Sequence, residues 1–447
     1  MDGMPRVTVV GAGIGGLVCG ALLAKEGCEV RVFERNSFVG GRCSATEKDG
    51  FVIDNFAHAF PMGPKGPHGR LSRELGEEIH FVLQDPAATV IDAYGGKLNS
   101  FHQRLDMRPL WTRFRMARDI GVKPVNFLGG FRLFRNLLRA DDSFVEAHDD
   151  RTIKDFILEY TDDENLHRFF NLLSLMFFVV PYDRASAGEF AWCFREMFMN
   201  AAFGYVKGST RAIPAAYLRA LEKFGGKLGL GKPVEKIICD GGSVSGVLVD
   251  GREFPSDVVI SDAGIRGTID LAGEEALGRE FVQKADGLEY SQGSLVTKYL
   301  LDRQVVDAPY VCYIPDAERL GDLGRLFEED KVPPDVGLFM VVVDRCDPDC
   351  APPGKQLLIA ATLGHNWFGS RAEEGTFRRT DERVFGLFPD VEKHLIEKLT
   401  ARPEDISRAS GRAGLGDAIG LAQIPGQVGR NKPSPVTPVE GLYMVGC

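Results

Sequence analysis

Apolar runs and glycine-rich breaks follow one another in a regular order at the start of the chain. Residues 6–10 (RVTVV) form a β-branched run that predicts a buried strand. Beyond a glycine-rich break, apolar positions recur at helical spacing from Leu17 to Gly27, and this predicts a helix that stops at Gly27. Residues 29–33 alternate charged and apolar side chains, which predicts a second strand that leads into Glu34.

The break between the first strand and the helix matches the G-x-G-x-x-G pattern of dinucleotide-binding units. Its first glycine permits a tight turn, its second lets the backbone approach a pyrophosphate, and its last allows close packing of helix and strand. The N–H groups and the positive dipole end of the helix favour phosphate there. The residues predicted to contact the dinucleotide in this loop are Gly11, Gly13, Ile14, Gly15 and Gly16.

An acidic residue and a second glycine pair follow the second strand. Glu34 stands at the position that accepts hydrogen bonds from a ribose, and Arg35 beside it is a further candidate contact. Eight residues after Glu34, Arg42 closes the run Gly40-Gly41-Arg42, which suits a second backbone approach to the pyrophosphate with added positive charge.

This acid and "GGR" resemble the flavin-containing amine oxidase and phytoene desaturase superfamily, and the resemblance implies FAD as the cofactor rather than NAD. It continues in residues 205–228, in 232–237 and in 254–264 (FPSDVVISDAG), which is similar to the desaturase branch. Within 232–237, the resemblance implies that Val234 contacts the adenine through its backbone. Residues 436–446 look like the last strand of the family, which ends at the candidate contact Gly446.

The resemblance implies an α/β fold in which a Rossmann-like, doubly wound FAD-binding domain of the glutathione-reductase type is interwoven with a mixed α+β substrate domain. The length of 447 residues also favours more than one core. We expect a discontinuous FAD-binding domain at 1–85, 205–265 and 406–447. The substrate-binding domain is expected at 86–204 and 266–405.

Two departures from the family pattern stand out. In the family, Asp54 often begins D-x-G-x-H, whereas here Phe56 replaces the glycine before Ala57 and His58. The family's last strand also runs into an acid, a glycine-rich turn and a helix. Here Cys447 either takes the place of that acid or marks a truncated sequence.

Lys298 and His58 are the candidate catalytic residues. By resemblance, Lys298 corresponds to a lysine that holds a water near flavin N5 in many amine oxidases, and a buried lysine has a readily lowered pKa. Because lysine is rarely buried, the alternative is a solvent-facing lysine on an edge strand. His58 lies close to the flavin by the family pattern, where it bonds either the substrate or a backbone carbonyl.

Two segments bear on the substrate. Residues 168–182 and 189–203 are dense in Phe, Leu and Met, and such helices either line an apolar tunnel or form core. Residues 101–139 hold nine Arg or Lys and two Asp among six aromatic side chains. As a helix, Phe127, Phe131, Phe134 and Leu138 would share one face, which suits either an anionic membrane surface or docking on the protein itself.

Bulk composition limits the partners and the location. A net charge of −10 argues against nucleic-acid binding, which needs a basic face. Nine scattered cysteines predict free thiols, and Cys346 and Cys350 lack the second pair that a zinc site needs. We expect no metal and a cytoplasmic protein, with membrane association as an option for residues 101–139. The electron acceptor and the oligomeric state stay open.

We therefore expect an FAD-dependent oxidoreductase that removes two electrons from an apolar, isoprenoid- or lipid-like substrate, with hydride passing to flavin N5. Saturation and isomerisation fit the same residues. An amine oxidase is the first alternative, favoured if Lys298 is buried beside the flavin. A non-enzymatic escort of prenylated proteins on the same scaffold is the second, although the intact Glu34 and Arg42 argue against it.

Overall fold

The computed structural model describes residues 4–56, 58–93, 97–106, 109–316, 323–411 and 416–446, so Ala57 and Cys447 lie outside the described residues. The strands are β1 Arg6–Val10, β2 Glu29–Phe33, β3 Ala45–Lys48, β4 Phe51–Asp54, β5 Phe81–Leu83, β6 Ala88–Asp92, β7 Asn99–Gln103, β8 Gly204–Val206, β9 Lys227–Gly229, β10 Val234–Asp240, β11 Ser243–Val249, β12 Arg252–Pro255, β13 Val258–Ser261, β14 Gly293–Leu301, β15 Tyr310–Ile314, β16 Leu338–Val342, β17 Gln356–Gly364, β18 Leu395–Ala401 and β19 Leu442–Met444.

The α-helices account for most of the remaining regular structure. They are α1 Ile14–Lys25, α2 Pro67–Glu74, α3 Leu110–Ile120, α4 Phe127–Leu138, α5 Asp142–His148, α6 Ile153–Leu158, α7 Glu164–Phe178, α8 Ala187–Asn200, α9 Ala212–Lys223, α10 Gly264–Ala272, α11 Glu274–Leu277, α12 Arg279–Asp286, α13 Leu323–Glu328, α14 Val343–Cys346, α15 Glu373–Leu387, α16 Pro389–Lys393 and α17 Pro403–Ser410. Within the described ranges, no helix is long and apolar enough to cross a membrane.

A five-stranded parallel sheet carries the glycine-rich loop. Its order is β19-β13-β1-β2-β9, and β1 and β2 have the predicted bounds. A parallel sheet is covered on both faces, which explains the apolar run in β1. Helix α1 packs on the sheet through small residues, and a Cβ added at Gly20 would touch Val32 and Leu221 at 3.4 and 3.5 Å. The strand, the glycine turn and the helix thus follow one another as the glycine pattern predicts.

A second, seven-stranded sheet has the order β18-β14-β17-β16-β15-β6-β7 and is antiparallel except where β15 pairs with β6. Side chains alternate between its faces. Tyr299 and Leu301 pack toward α15 on one face, whereas Val296 and Leu300 join the helical core on the other. Because β14 pairs with strands on both sides, Lys298 stands in the interior of the sheet and not at its edge.

The helices between β7 and β8 pack around a cluster of phenylalanines. Phe170 of α7 is fully buried, and its ring centroid lies 5.6 to 5.9 Å from those of Phe134, Phe190 and Phe194.

The two sheets and their helices form the mixed α/β architecture that the sequence predicts. The glutathione-reductase type of the FAD domain and the exact domain boundaries stay predictions.

Replacing Phe170 with Ala should lower the free energy of unfolding by about 3–5 kcal/mol, because a large cavity opens among rings that cannot collapse. Urea unfolding followed by circular dichroism measures this loss. The matched control is Phe368→Ala, a partly exposed position where about 1 kcal/mol or less is expected. Equal losses in the two variants would contradict the assigned role of the phenylalanine cluster.

Candidate cofactor and substrate site

The glycine-rich loop leaves no room for side chains. A Cβ at Gly16 would lie 2.2 Å from the carbonyl oxygen of Gly11, and a Cβ at Gly13 would lie 2.4 Å from Oδ2 of Asp262. Gly11 has a φ of +97°, which strongly favours glycine. Ile14 and Gly15 begin α1, so the first free N–H groups of the helix face the end of the parallel sheet.

Glu34 is held beside this loop by backbone groups. Its Oε2 accepts from the N–H of Ala12 at 2.7 Å and its Oε1 accepts from the N–H of Asn36 at 2.8 Å. A carboxylate has about four acceptor sites, so Glu34 retains capacity for a ribose hydroxyl. Arg35 instead reaches along the surface, where its Nη2 donates to the carbonyl of Arg408 at 3.0 Å.

The second glycine pair lies directly against the first loop. Gly40 forms a β-bridge with Gly13 and donates its N–H to the carbonyl of Ala12 at 2.8 Å. Gly40 and Gly41 have φ values of +102° and +55°. The two glycine motifs are separate in the sequence, but in the fold they form one backbone surface.

Arg42 points away from that surface toward the loop after α17. Its Nη1 donates to the carbonyl of Ala418 at 3.0 Å and lies 3.4 Å from the buried carboxylate of Asp417. The structure thus joins Arg42 to the substrate side, while its predicted contact with the pyrophosphate stays a prediction.

Asp262, in the run FPSDVVISDAG, is a site residue that the sequence pattern does not single out. Its Oδ2 accepts from the N–H of Gly16 at 2.9 Å, so the carboxylate lies on the N-terminus of α1. A Cβ at Gly446 would come within 2.1 Å of its Oδ1, which brings the candidate after β19 to the same point. These partners are far apart in the chain, so no local pattern could have shown the contact.

The loop, Glu34 and the helix terminus together fit a dinucleotide. Close backbone approach, free helix N–H groups and an acid after β2 are the features that such a cofactor requires. Val234 begins β10, paired with Val249 in the separate three-stranded sheet, and its adenine contact stays a prediction.

A buried carboxylate organises the side chains near the end of β4. Asp54 is 1% exposed and accepts from the hydroxyls of Ser209 at 2.6 Å and Thr210 at 2.8 Å, from the N–H of Thr210, and from the hydroxyl of Tyr205. Burial, and then the charge of Asp54, raise the pKa of Tyr205 well above its usual value, so this phenol stays a donor. Hydrogen-bond donors therefore surround this buried carboxylate, which offsets the cost of removing it from water.

His58 lies close to this carboxylate and faces the substrate side. Its Nδ1 is 2.9 Å from the carbonyl of Phe56, which leaves Nε2 as the acceptor, 3.9 Å from Sγ of Cys43. Burial lowers the pKa of His58 below its usual value, and the charge of Asp54 partly offsets this. The imidazole is therefore neutral near pH 7. Phe56, where the family often has glycine, packs into the helical core and the cavity wall.

Lys298 is buried, with 6% of its surface exposed, so the expectation of a solvent-facing lysine is wrong. Burial lowers its pKa to about 8, although the charges of Asp54 and Asp405 oppose the shift. With the described residues it forms no hydrogen bond or ion pair. The sequence could not reveal this burial, because it depends on β18 pairing with the outer side of β14.

A cavity of about 530 Å³ lies between the seven-stranded sheet and helices α7 and α8. The end of the cavity that meets the glycine loops is lined by Arg42, His58 and Ile419. Its sheet side is lined by Val296, Phe339 and Leu363. Most of the wall is apolar, as in sites for apolar ligands. The cavity is large enough for part of a long hydrocarbon.

The phenylalanine-rich helices serve as both core and cavity wall, so the two alternatives for residues 168–203 are each partly correct. On α7 the cavity face repeats at helical spacing, whereas α8 contributes Trp192, Cys193 and Glu196. The cavity-lining residues from α7 and its end are Arg168, Asn171, Leu172, Leu175, Met176, Phe177 and Val179. Opposite faces carry the phenylalanine cluster.

Arg168 introduces charge into this wall. Its Nη2 lies 2.5 Å from Oδ1 of Asp92, and both side chains are largely buried. Glu196 is paired with Arg195, Nη2 to Oε1, at 3.1 Å. The sequence pattern does not single out Arg168, because one basic residue within an apolar stretch of helix gives no distinct signal, whereas Arg195 and Glu196 are as consistent with surface groups as with binders.

Comparison with known proteins gives the chain its family. Residues 14–410 match the model of the flavin-containing amine oxidoreductases. The zeta-carotene-forming phytoene desaturase of Myxococcus xanthus is 26% identical and matches over 99% of this chain and 89% of its own length. The lycopene-forming phytoene desaturase of Pseudescherichia vulneris is 22% identical, over 99% and 94%.

Solved structures share the fold. An oxidoreductase from Methanosarcina mazei has a TM-score of 0.70 at 21% identity, covering 99% of this chain and 94% of that one. Wild-type putrescine oxidase bound to putrescine has a TM-score of 0.68 at 14% identity, covering 99% and 93%. Since the family is one of oxidoreductases, the non-enzymatic escort is set aside.

We expect Asp262→Asn to bind FAD about three- to tenfold more tightly, because a negative charge leaves the helix terminus where the pyrophosphate is expected. The amide oxygen can still accept from Gly16. Titrating the apoprotein with FAD and following flavin fluorescence gives the affinity. Asp240→Asn, at an exposed acid at the end of β10, is the control. Weaker binding by Asp262→Asn would mean that the carboxylate itself supports the cofactor.

The lowered pKa of Lys298 predicts a pH-dependent stability. Between pH 8 and 10.5 the unfolded chain keeps the lysine proton that the folded chain has lost, so stability rises with pH. From pH 7 to pH 10, the free energy of unfolding of the wild type should gain about 2 kcal/mol relative to Lys298→Met. Urea unfolding at both pH values measures the difference. A pH-independent difference would contradict the shift.

Proposed function

The chain belongs to the family of flavin-containing amine oxidoreductases and is an FAD-dependent oxidoreductase, and on that premise we propose that it dehydrogenates an apolar, isoprenoid- or lipid-like substrate. The observation that carries this proposal is the mostly apolar cavity of about 530 Å³ that ends at Arg42 and His58. Its curated relatives named above are phytoene desaturases, which supports a hydrocarbon substrate. Saturation or isomerisation of such a substrate uses the same residues.

When bound, FAD would supply the acceptor for the hydride of the substrate. The chain's own residues supply the rest. The walls from α7, α8 and the seven-stranded sheet bind the hydrocarbon and exclude water, which fixes the reacting bond in one orientation. Dehydrogenation also releases a proton. Nε2 of neutral His58, which lines the cavity, is the acceptor that we assign to it.

Oxidation of an amine is the second candidate, and Lys298 favours it. A buried lysine with a pKa of about 8 is partly neutral at working pH and can exchange a proton at Nζ. By the family resemblance, a lysine in this strand serves amine oxidation. The apolar cavity speaks against a small cationic substrate, since the described lining offers few groups for an ammonium.

Anaerobic bleaching of the bound flavin separates the two candidates. We expect phytoene to reduce the flavin, and Lys298→Met to change that rate less than about threefold, because the lysine has no part in hydrocarbon binding. The same assay with primary and secondary amines should give no bleaching. Stopped-flow absorbance measures both.

The matched control is Lys236→Met, at an exposed lysine on β10. Reduction by an amine that falls about a hundredfold or more in Lys298→Met, but not in Lys236→Met, would favour the amine oxidase and overturn the first proposal.

A further inference from the structure

Helices α3 and α4 and the turn between them expose apolar side chains on one outer face. Their exposed fractions run from 38% to 84%, although side chains of this size are usually buried. We call this set the α3–α4 patch, and it consists of Leu110, Trp111, Phe114, Val125, Leu128 and Phe131.

The helical spacing explains why these residues stay outside the core. On α3, Thr112, Met116 and Ile120 face the protein, which leaves the face of Trp111 and Phe114 to solvent. On α4, Leu133 and Phe134 are buried in the core. Of the stripe predicted for this helix, Phe134 is therefore core, whereas Phe131 belongs to the surface.

The two helices form one continuous patch. The rings of Phe114 and Phe127 lie 6.4 Å apart, centroid to centroid, across the helix pair. The guanidinium of Arg113 lies 5.8 Å from the centroid of Phe131. Aromatic rings and an arginine thus lie together on this surface, an arrangement that suits the interfacial region of a bilayer.

Positive charge surrounds the patch. Residues 109–139 hold seven Arg or Lys against one Asp, in a chain whose net charge is −10. That aspartate, Asp119, is paired with Arg115 at 3.6 Å and with Arg118 at 3.1 Å. Arg132, Arg135 and Arg139 are exposed and form no ion pair with the described residues. Within residues 109–139 positive charge therefore predominates beside the exposed apolar side chains, although the buried carboxylate of Asp163 accepts from the N–H of Lys123 and from the amide of Asn126 in the turn.

We infer that the α3–α4 patch is a docking surface for an anionic lipid bilayer. Apolar side chains would enter the interface between headgroups and acyl chains, and the arginines would contact lipid phosphates. A second copy of this chain fits less well, because its patch would bring the same positive charge into contact. The inference is independent of the reaction that the cavity supports.

Sedimentation with vesicles tests it on the FAD-loaded protein. Vesicles of phosphatidylcholine and phosphatidylglycerol in a 3:1 ratio should bind the wild type, and pure phosphatidylcholine vesicles should bind at least about tenfold more weakly. Raising the salt to about 0.5 M should weaken binding to the anionic vesicles, because exposed charges are then screened.

Two variants separate the apolar from the charged contribution. Trp111→Ser with Phe114→Ser and Leu128→Ser removes apolar contacts, and Arg132→Glu with Arg135→Glu reverses charge. Each should raise the lipid concentration for half-binding at least about tenfold. The controls are Ile396→Ser and Arg378→Glu, exposed positions on β18 and α15 that should bind like the wild type. Flavin content and the unfolding midpoint verify that every variant is folded.

Three outcomes would overturn the inference. One is the absence of binding to anionic vesicles by folded, flavin-loaded protein. Another is binding that the patch variants weaken no more than the control variants do. The third is a concentration-dependent dimer in analytical ultracentrifugation that the triple serine variant abolishes, which would assign the patch to a second copy of the chain.

Discussion

The buried carboxylate of Asp54 is the interaction on which the two halves of the site depend. It ends β4 and holds Ser209 and Thr210 just before α9, the helix that packs on α1. In the same loop, the N–H of Gly208 donates to Oδ2 of Asp347, which directly follows α14 and lies between strands β16 and β17 of the seven-stranded sheet. The contacts of Asp54 and Asp347 thus join the β3–β4 hairpin, the loop before α9 and the second sheet.

The charge of the same carboxylate opposes the effect of burial on the pKa values of the groups around it. Its charge raises the pKa values of His58 and Lys298, whereas burial lowers both, and burial is the larger effect. A neutral imidazole and a partly neutral amine result within an apolar surrounding. Without an internal anion, burial would lower these pKa values further, and with a closer one the lysine would stay charged.

The sequence predicts features that are specified within a few residues, but not contacts between segments that are distant in the chain. Strands β1 and β2, the glycine turn and Glu34 could be predicted because a strand, a turn and a helix start are each specified within a few residues. The contact of Asp262 with Gly16 joins distant segments, and the burial of Lys298 depends on which strand pairs with β14. Such features follow from sheet order, which hydrophobic periodicity does not encode.

The apolar sequence of residues 168–203 is consistent with either core or cavity wall, and the helix geometry shows that these residues form both. A helix has enough circumference to bury Phe170 on one side and to present Leu172 and Leu175 to the cavity on the other. Helix α3 packs against α7 from outside and exposes Trp111 and Phe114 beyond it. From sheet to surface, cavity, α7 and α3 therefore form successive layers. The proposed hydrocarbon substrate would be concentrated in membranes. A cavity for it and the proposed docking patch on the same side of the sheet would therefore solve one physical problem, the low concentration of such a substrate in water.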